Sequence, residues 1–184
     1  MLGVGQTLPD FKVIGVKPGF NSHEENGVSA FEPITNASFE GKWKVIFFYP
    51  KDFTFVCPTE IAEFASLARD FEDRDTVVMG GSTDNEFVKL AWRRDHVDLS
   101  KLPIWQFADN GGRFARDLGV LDEAEGVAQR ATFVVDPHNV VQHVYVTNLN
   151  VGRAPADTLR VVDALQTDEL CACNRPVGGE TLAA

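Results

Sequence analysis

Three cysteines, Cys57, Cys171 and Cys173, are the residues of this chain best suited to covalent chemistry, and Cys57 stands where a helix should begin. Pro58 follows it, and proline is favoured at the first helical position, so the sulfur should lie where the first unpaired backbone N–H groups converge. That end of a helix carries roughly half a positive charge and favours an anion; the thiolate is the nucleophilic form of cysteine. Glu60, three residues on, occupies a position from which a carboxylate reaches back toward the helix start or orients a nearby cation. Thr54, three residues before the cysteine, offers a hydroxyl to a thiolate or a peroxide oxygen. Pro50 is placed to restrict water above the sulfur. A free cysteine on its own is more often a small buried apolar group. The grouping Pro50, Thr54, Cys57, Pro58 and Glu60 reverses that reading, because each side chain has a distinct part in holding a reactive thiolate.

Cys171 and Cys173 are separated by one residue, whereas thioredoxin-type redox motifs and most zinc knuckles use two. His23, His96, His138 and His143 make no familiar metal spacing with them. Neither a local redox pair nor a zinc site is expected. Arg130 taken alone is an ordinary solvated arginine near a strand start.

Pro50, Thr54, Cys57 and Pro58-Thr59-Glu60 together resemble the active-site signature of typical two-cysteine peroxiredoxins. The likeness continues through Arg130 before Ala131-Thr-Phe-Val-Val-Asp136 and through Val151-Gly152-Arg153. The tail, Leu170-Cys171-Ala172-Cys173-Asn174, is most similar to that of the actinobacterial alkyl hydroperoxide reductase C subunits. The resemblance implies a thioredoxin-like fold and a thiol-dependent peroxidase acting on hydrogen peroxide and organic hydroperoxides. It makes Cys57 the peroxidatic residue and sets Arg130 beside its sulfur; Arg153 either supports the site with Glu60 or neutralises the entry to the last helix. It makes Cys171 the resolving cysteine of a partner subunit, within a homodimer that assembles into a ring. Cys173 resolves in its own right, accepts the disulfide by exchange, or meets the reductant. A dithiol protein, thioredoxin-like or a dedicated adaptor, regenerates the enzyme, and no metal or flavin cofactor is called for. The alternative is a redox-regulated chaperone or signalling protein whose surface matters more than turnover.

Two elements of overoxidation-sensitive relatives, an internal Gly-Gly-Leu-Gly and a Tyr-Phe ending, are absent. Resistance to sulfinic inactivation is therefore expected; abundant sulfinic Cys57 in mass spectra after modest peroxide exposure during turnover would refute it.

The elements that must position these groups read as one α/β domain over 1–184, with a mobile resolving tail from about 168. At 184 residues, 44% hydrophobic and 24% charged, the chain has ordinary globular composition, and a domain of this size buries roughly 70% of the surface its unfolded chain exposes. A formal charge of −10 opposes binding to a phosphate backbone. The apolar run Val45 to Tyr49 is far short of the roughly 20 residues a membrane helix needs. The beginning, Met-Leu-Gly-Val-Gly-Gln, lacks the basic start of a secretory signal, so a cytoplasmic location is expected. Lys44 to Tyr49 predicts a buried central strand ended by Pro50. Ile61, Phe64, Leu67, Ala68 and Phe71 predict a helix from Pro58 to about Asp73. Thr76 to Met79 predicts a second strand, and Phe87, Leu90, Ala91 and Trp92 a helix to about His96. A short helix at Arg113 to Leu118, a hairpin around Pro137-His138-Asn139 and a last helix through Leu159, Val162, Ala164 and Leu165 complete a central mixed sheet flanked by helices. Residues 15 to 42 read as a long surface connection.

Overall fold

Val45, Phe47 and Tyr49 alternate with Ile46 and Phe48, and every one of them is buried. Alternation sends the first three to one face of a sheet and the other two to the opposite face, so this strand needs cover on both sides. In the computed structural model, which describes residues 1–182, it receives that cover. The chain begins with strands β1 (Lys12–Val16), β2 (Glu24–Glu25), β3 (Val28–Ser29), β4 (Phe31–Thr35) and β5 (Trp43–Phe48). Helices α1 (Cys57–Ser66) and α2 (Ala68–Glu72), strand β6 (Thr76–Ser82), helix α3 (Glu86–Asp95) and strand β7 (Trp105–Ala108) follow. Helix α4 (Arg113–Asp117), strands β8 (Leu121–Asp122), β9 (Val127–Ala128), β10 (Arg130–Val135) and β11 (Val141–Thr147), and helix α5 (Pro155–Leu165) complete the order.

Seven strands form one sheet in the order β11-β10-β5-β6-β7-β1-β4. The β5–β6 and β6–β7 pairs are parallel and the rest antiparallel, which makes the sheet mixed. On one face Val45, Phe47 and Tyr49 pack with Ile61 and Phe64 of α1, Phe71 of α2, Trp92 of α3 and Leu159 and Val162 of α5. On the other, Ile46 and Phe48 pack with Phe114 and Ala115 of α4 and Phe133 of β10. Two face-specific cores thus follow from a period of two in β5 and β10 and a period near 3.6 in the helices.

The segment 15–42 departs from the expected surface connection: the end of β1 and the whole of β4 lie within it and extend the sheet. Two residues hid them. Gly15 sits mid-strand because a Cβ there would stand 2.5 Å from Ile34 Cδ1, and Pro33 is tolerated because β4 is an outer strand paired only with β1, where a missing N–H is harmless. Arg93 secures this region from below. Its guanidinium donates to the carbonyls of Val16, Lys17, Phe20 and Ile104 and to Gln106 Oε1, and burial pulls its pKa down to about 10, against a smaller upward pull from Tyr49.

The long helix expected from Pro58 to Asp73 breaks at Leu67 (φ −94°, ψ 6°) into α1 and α2. Strand β6 runs past Met79 to Ser82 because Gly80 leaves room for the Phe47 ring, whose Cζ lies 2.2 Å from where a Cβ would be. Among the described residues no helix is long and apolar enough to cross a membrane.

The described residues after α5 form no helix or strand, yet they dock along that helix. Arg175, buried, donates from Nη1 to Asp163 Oδ2 at 2.6 Å, and the same carboxylate accepts Arg74 Nε at 3.0 Å and Gly178 N at 2.9 Å. Burial pushes the Asp163 pKa up, but these three donors outweigh it and hold it below the ordinary carboxylate value. A charge-assisted hydrogen bond of this kind contributes about 1.5–3 kcal/mol. Arg175→Ala is therefore expected to loosen the tail and speed alkylation of Cys171 in reduced protein by on the order of tenfold. An unchanged alkylation rate, read by mass spectrometry, would show that Arg175 does not hold the tail.

Candidate active site

Strand β5 ends at Phe48, and the loop 49–56 carries the chain over the sheet edge to Cys57, the first residue of α1. Val56 before it already has helical angles (φ −81°, ψ −40°), and no side chain caps the helix. The amide-rich start of α1 is thus presented to the sulfur. Cys57 is only 1% exposed, and its access is a pocket of about 530 Å³ lined by Pro50, Thr54, Phe55, Val127, Arg130 and Leu149 among others.

Arg130, the first residue of β10, reaches that sulfur from the neighbouring strand: its Nη1 donates to Cys57 Sγ at 3.4 Å and to Glu60 Oε2 at 2.6 Å. Its Nε donates to the Leu149 carbonyl at 2.7 Å, which fixes the plane of the guanidinium. Arg153 holds Glu60 from the far side, with Nε to Oε1 at 2.7 Å, Nη2 to Oε2 at 3.0 Å and its backbone N–H to Oε1 at 2.9 Å. Arg153 Nη1 also donates to Ala131 O and Thr132 Oγ1, and its guanidinium lies 5.5 Å from the centre of the Phe47 ring. Burial, the largest single influence, pushes the Glu60 pKa up. The hydrogen bonds and charge of Arg153, its backbone N–H and the charge of Arg130 together bring it below its ordinary value of 4.5. Glu60 therefore orients two cations; of the two roles open to it in the sequence, this is the one it takes. Two guanidiniums against one carboxylate leave one net positive charge beside the sulfur, where a thiolate and an incoming peroxide oxygen would place negative charge.

The geometry brings together Cys57, Arg130, Glu60 and Arg153, with Pro50 and Thr54 on the wall of the same pocket. Thr54 differs from expectation in one respect: its hydroxyl donates to the Lys51 carbonyl at 2.9 Å rather than to the sulfur. Its lone pairs remain for a bound hydroperoxide, which carries an O–H donor.

Residues 4–144 match the AhpC/TSA family. The chain belongs to that family. It is 49% identical over 190 residues to alkyl hydroperoxide reductase C of Mycolicibacterium smegmatis, covering 100% of this chain and 95% of that protein. Against the protein of the same name from Mycobacterium tuberculosis it is 52% identical over 186 residues, with the same coverage. The solved structure of Mycobacterium tuberculosis AhpC superposes with a TM-score of 0.86 at 45% identity, covering 95% of this chain and 98% of that one. A reduced Plasmodium vivax 2-Cys peroxiredoxin does so at 0.85 and 30% identity, covering 97% and 91%. The AhpC/TSA fold, thioredoxin-like with a mixed central sheet between helices, is the architecture described above. The protein is a thiol-dependent peroxidase.

Cys171 and Cys173 lie apart from this constellation. The half-buried Cys171 thiol rests 3.7 Å from the Ala164 carbonyl, near the C-terminal end of α5, and 3.5 Å from Thr167 Oγ1; Cys173 is exposed. Arg153, just before α5, touches Glu60, so the helix itself measures the gap: its eleven residues span about 16 Å. Strand β11 gives the same answer. Thr147 pairs with Arg130, while Gln142 lines a groove with Cys171, and the five residue steps from one to the other span about 17 Å. A disulfide needs Cα atoms roughly 4.4–6.8 Å apart.

Sequence reading missed Lys89, Asp52 and Ser82, a buried polar group directly beneath the loop that leads to Cys57. Its available signal was an ionisable residue at each of two positions one helical turn apart, Lys89 and Arg93, on either side of Leu90 and Trp92.

Proposed function

We propose that the protein reduces hydrogen peroxide and organic hydroperoxides through a sulfenic acid on Cys57 and an inter-subunit disulfide to Cys171. The Cys57 thiolate attacks one peroxide oxygen; an S–O bond forms, the O–O bond breaks, and the leaving oxygen departs as water or an alcohol after taking a proton. Arg130 faces the charge that develops on those oxygens, and Thr54 and Pro50 shape the approach. Phe55, Val127 and Leu149 give the pocket an apolar wall suited to an alkyl group. Cys171 then condenses with the sulfenic acid, releasing water and forming the disulfide. A dithiol protein, thioredoxin-like or a dedicated adaptor, reduces that disulfide, with Cys173 available for exchange. The whole chain acts as one domain with its resolving tail from about residue 168, in the reducing cytoplasm and without a metal or flavin.

The single observation that carries the inter-subunit step is the distance between the two thiols along α5 and β11. Strand β11 is an outer strand of the sheet; Gly5 and Gln6 hydrogen-bond to its first residue, Val141, and among the described residues no strand pairs with the remainder of that edge. Antiparallel pairing of two such edges sets the Gln142 end of one strand beside the Thr147 end of the other. That arrangement brings the tail of one subunit toward Cys57 of its partner, once the first turn of α1 opens to expose a sulfur that is 1% accessible in the closed form. Between dimers, the exposed ring of Phe55, 94% accessible, and that of Phe87, 58% accessible, offer apolar surface for assembly into a ring.

Chains carrying Cys57→Ser and chains carrying Cys171→Ser, reduced, mixed and treated with one equivalent of peroxide, test this reading. Each variant alone is expected to lack the Cys57–Cys171 disulfide, and the mixture to form a disulfide-linked dimer with one copy of each on a non-reducing gel. Absence of that mixed dimer, with the native protein instead giving an intrachain disulfide, would overturn the inter-subunit step.

A further inference from the structure

The pocket shows which groups face the sulfur, but not what keeps the loop 49–56 in the shape that presents them. Nothing in the loop is intrinsically rigid apart from Pro50, and one of its residues is strained: Phe53 has φ +55°, the left-handed region that bulky side chains avoid. Such a conformation persists only where surrounding structure over-determines it.

Helix α3 supplies that structure from below. Lys89 is 0% exposed, and its Nζ donates to Ser82 Oγ at 2.8 Å, to Asp52 Oδ1 at 3.2 Å and Oδ2 at 3.3 Å, and to Tyr49 Oη at 3.3 Å. Ser82 Oγ lies 3.0 Å from both Asp52 Oδ1 and Asp84 Oδ2, and the backbone N–H of Asp52 donates to Asp84 Oδ2 at 2.8 Å. One turn along the same helix, the Trp92 ring stacks under the Phe53 ring with centroids 5.7 Å apart. Tyr49, Asp52 and Phe53 are therefore all fixed to α3 or to the end of β6, and the Thr54 hydroxyl closes the loop onto Lys51 O. Neither Lys89 nor Asp52 lines the pocket around the sulfur. An ion pair with both side chains at or below 1% exposure is a weak source of stability, since desolvation offsets much of its attraction. It is a strong source of geometric constraint, because neither partner has another place to put its charge.

We infer that the buried Lys89–Asp52 pair, bridged by Ser82, is the clamp that holds the Pro50–Val56 loop in its peroxide-reactive shape, which makes Lys89 and Asp52 positioning residues for Cys57. The inference rests on the peroxidatic role proposed for Cys57. Peroxide reduction needs Cys57, Arg130 and the Pro50–Thr54 wall in mutual register. Alkylation by iodoacetamide needs only an accessible thiolate.

The experiment compares native protein with Asp52→Asn, Lys89→Met and the double variant, which leaves neither charge buried alone. The full-length chain is used, well below each melting temperature. Stopped flow gives the rate constant for substoichiometric hydrogen peroxide, and peptide mass spectrometry gives the rate of Cys57 alkylation by iodoacetamide. The expected result is a peroxide rate lowered by on the order of 100-fold, as for misplacement of reacting groups by about 1 Å, with alkylation unchanged or faster. Ser82→Ala, which removes only the bridging hydroxyl, is expected to show the same selective loss at smaller size and serves if the charge variants do not fold. A native peroxide rate in a folded variant would overturn the clamp, leaving the pair a stability element alone. A parallel fall of both rates would also overturn it, by placing the effect on the thiolate rather than on the loop. A native protein no faster with peroxide than a free thiol would instead strike the peroxidatic reading, and is distinguished by requiring no variant at all.

Discussion

Arg130→Met is expected to slow the reaction of reduced protein with hydrogen peroxide by about 10²–10³-fold, measured by stopped flow against a Cys57→Ser variant that consumes none. The reason lies in what Arg130 alone can do. Its Nη1 stands 3.4 Å from the sulfur while its Nε is held by Leu149 O and its charge by Glu60. Methionine fills a similar volume and leaves Glu60 bound to Arg153 through three hydrogen bonds, so the scaffold beneath the site persists. What disappears is a charged donor aimed at the place where negative charge moves from sulfur to oxygen. Arg130→Lys separates charge from geometry: a single ammonium cannot serve Leu149 O, Glu60 and the sulfur in a fixed fork, so it is expected to recover only part of the rate. A native rate in Arg130→Met would remove this residue from the chemistry.

The parts of the site legible in the sequence are those set by local rules. Cys57 before Pro58 reads directly as a helix start, and Glu60 one turn on has few other tasks. The contact between Arg130 and Cys57 spans 73 positions and arises because β10 lies beside β5 in the sheet; no periodicity encodes it, and only resemblance to a known signature pointed there. Strands β1 and β4 escaped notice because Gly15 and Pro33 interrupt their patterns, although the outer position of β4 makes Pro33 acceptable. Helix α3 was located, yet the apolar positions that marked it do not map its buried face: Phe87 is 58% exposed, while Lys89 and Arg93 are each 0% exposed. Burial there follows from partners supplied by other elements: Asp52 and Ser82 for Lys89, and a ring of backbone carbonyls for Arg93. Charged residues at buried helical positions are invisible to a hydrophobic pattern until their partners are placed.

Glu60→Gln tests how far the reactive constellation and the stability of the fold depend on one carboxylate. Glutamine keeps the shape but removes the charge, leaving Arg130 and Arg153, both buried, with no anion between them. Breaking a buried pair in this way costs about 3–5 kcal/mol, which for a chain of this length lowers the melting temperature by roughly 6–20 °C. Native and variant proteins compared at one concentration by circular dichroism measure it, since association also contributes to the melting point. The difference should depend on pH with a definite sign. The folded-state pKa of Glu60 is depressed below 4.5, so its contribution is complete above that value and is lost as the pH falls from 4.5 through the lowered folded value. The gap between native and variant melting temperatures should therefore be widest near neutrality and close on acidification below about 4.5. A gap that stays constant into the acid range would show that Glu60 acts through its shape and hydrogen bonds, with its charge making no separate contribution. A variant as stable as the native protein at neutral pH would mean that the two arginines find other partners, and that the cation beside Cys57 is held by Leu149 O rather than by Glu60.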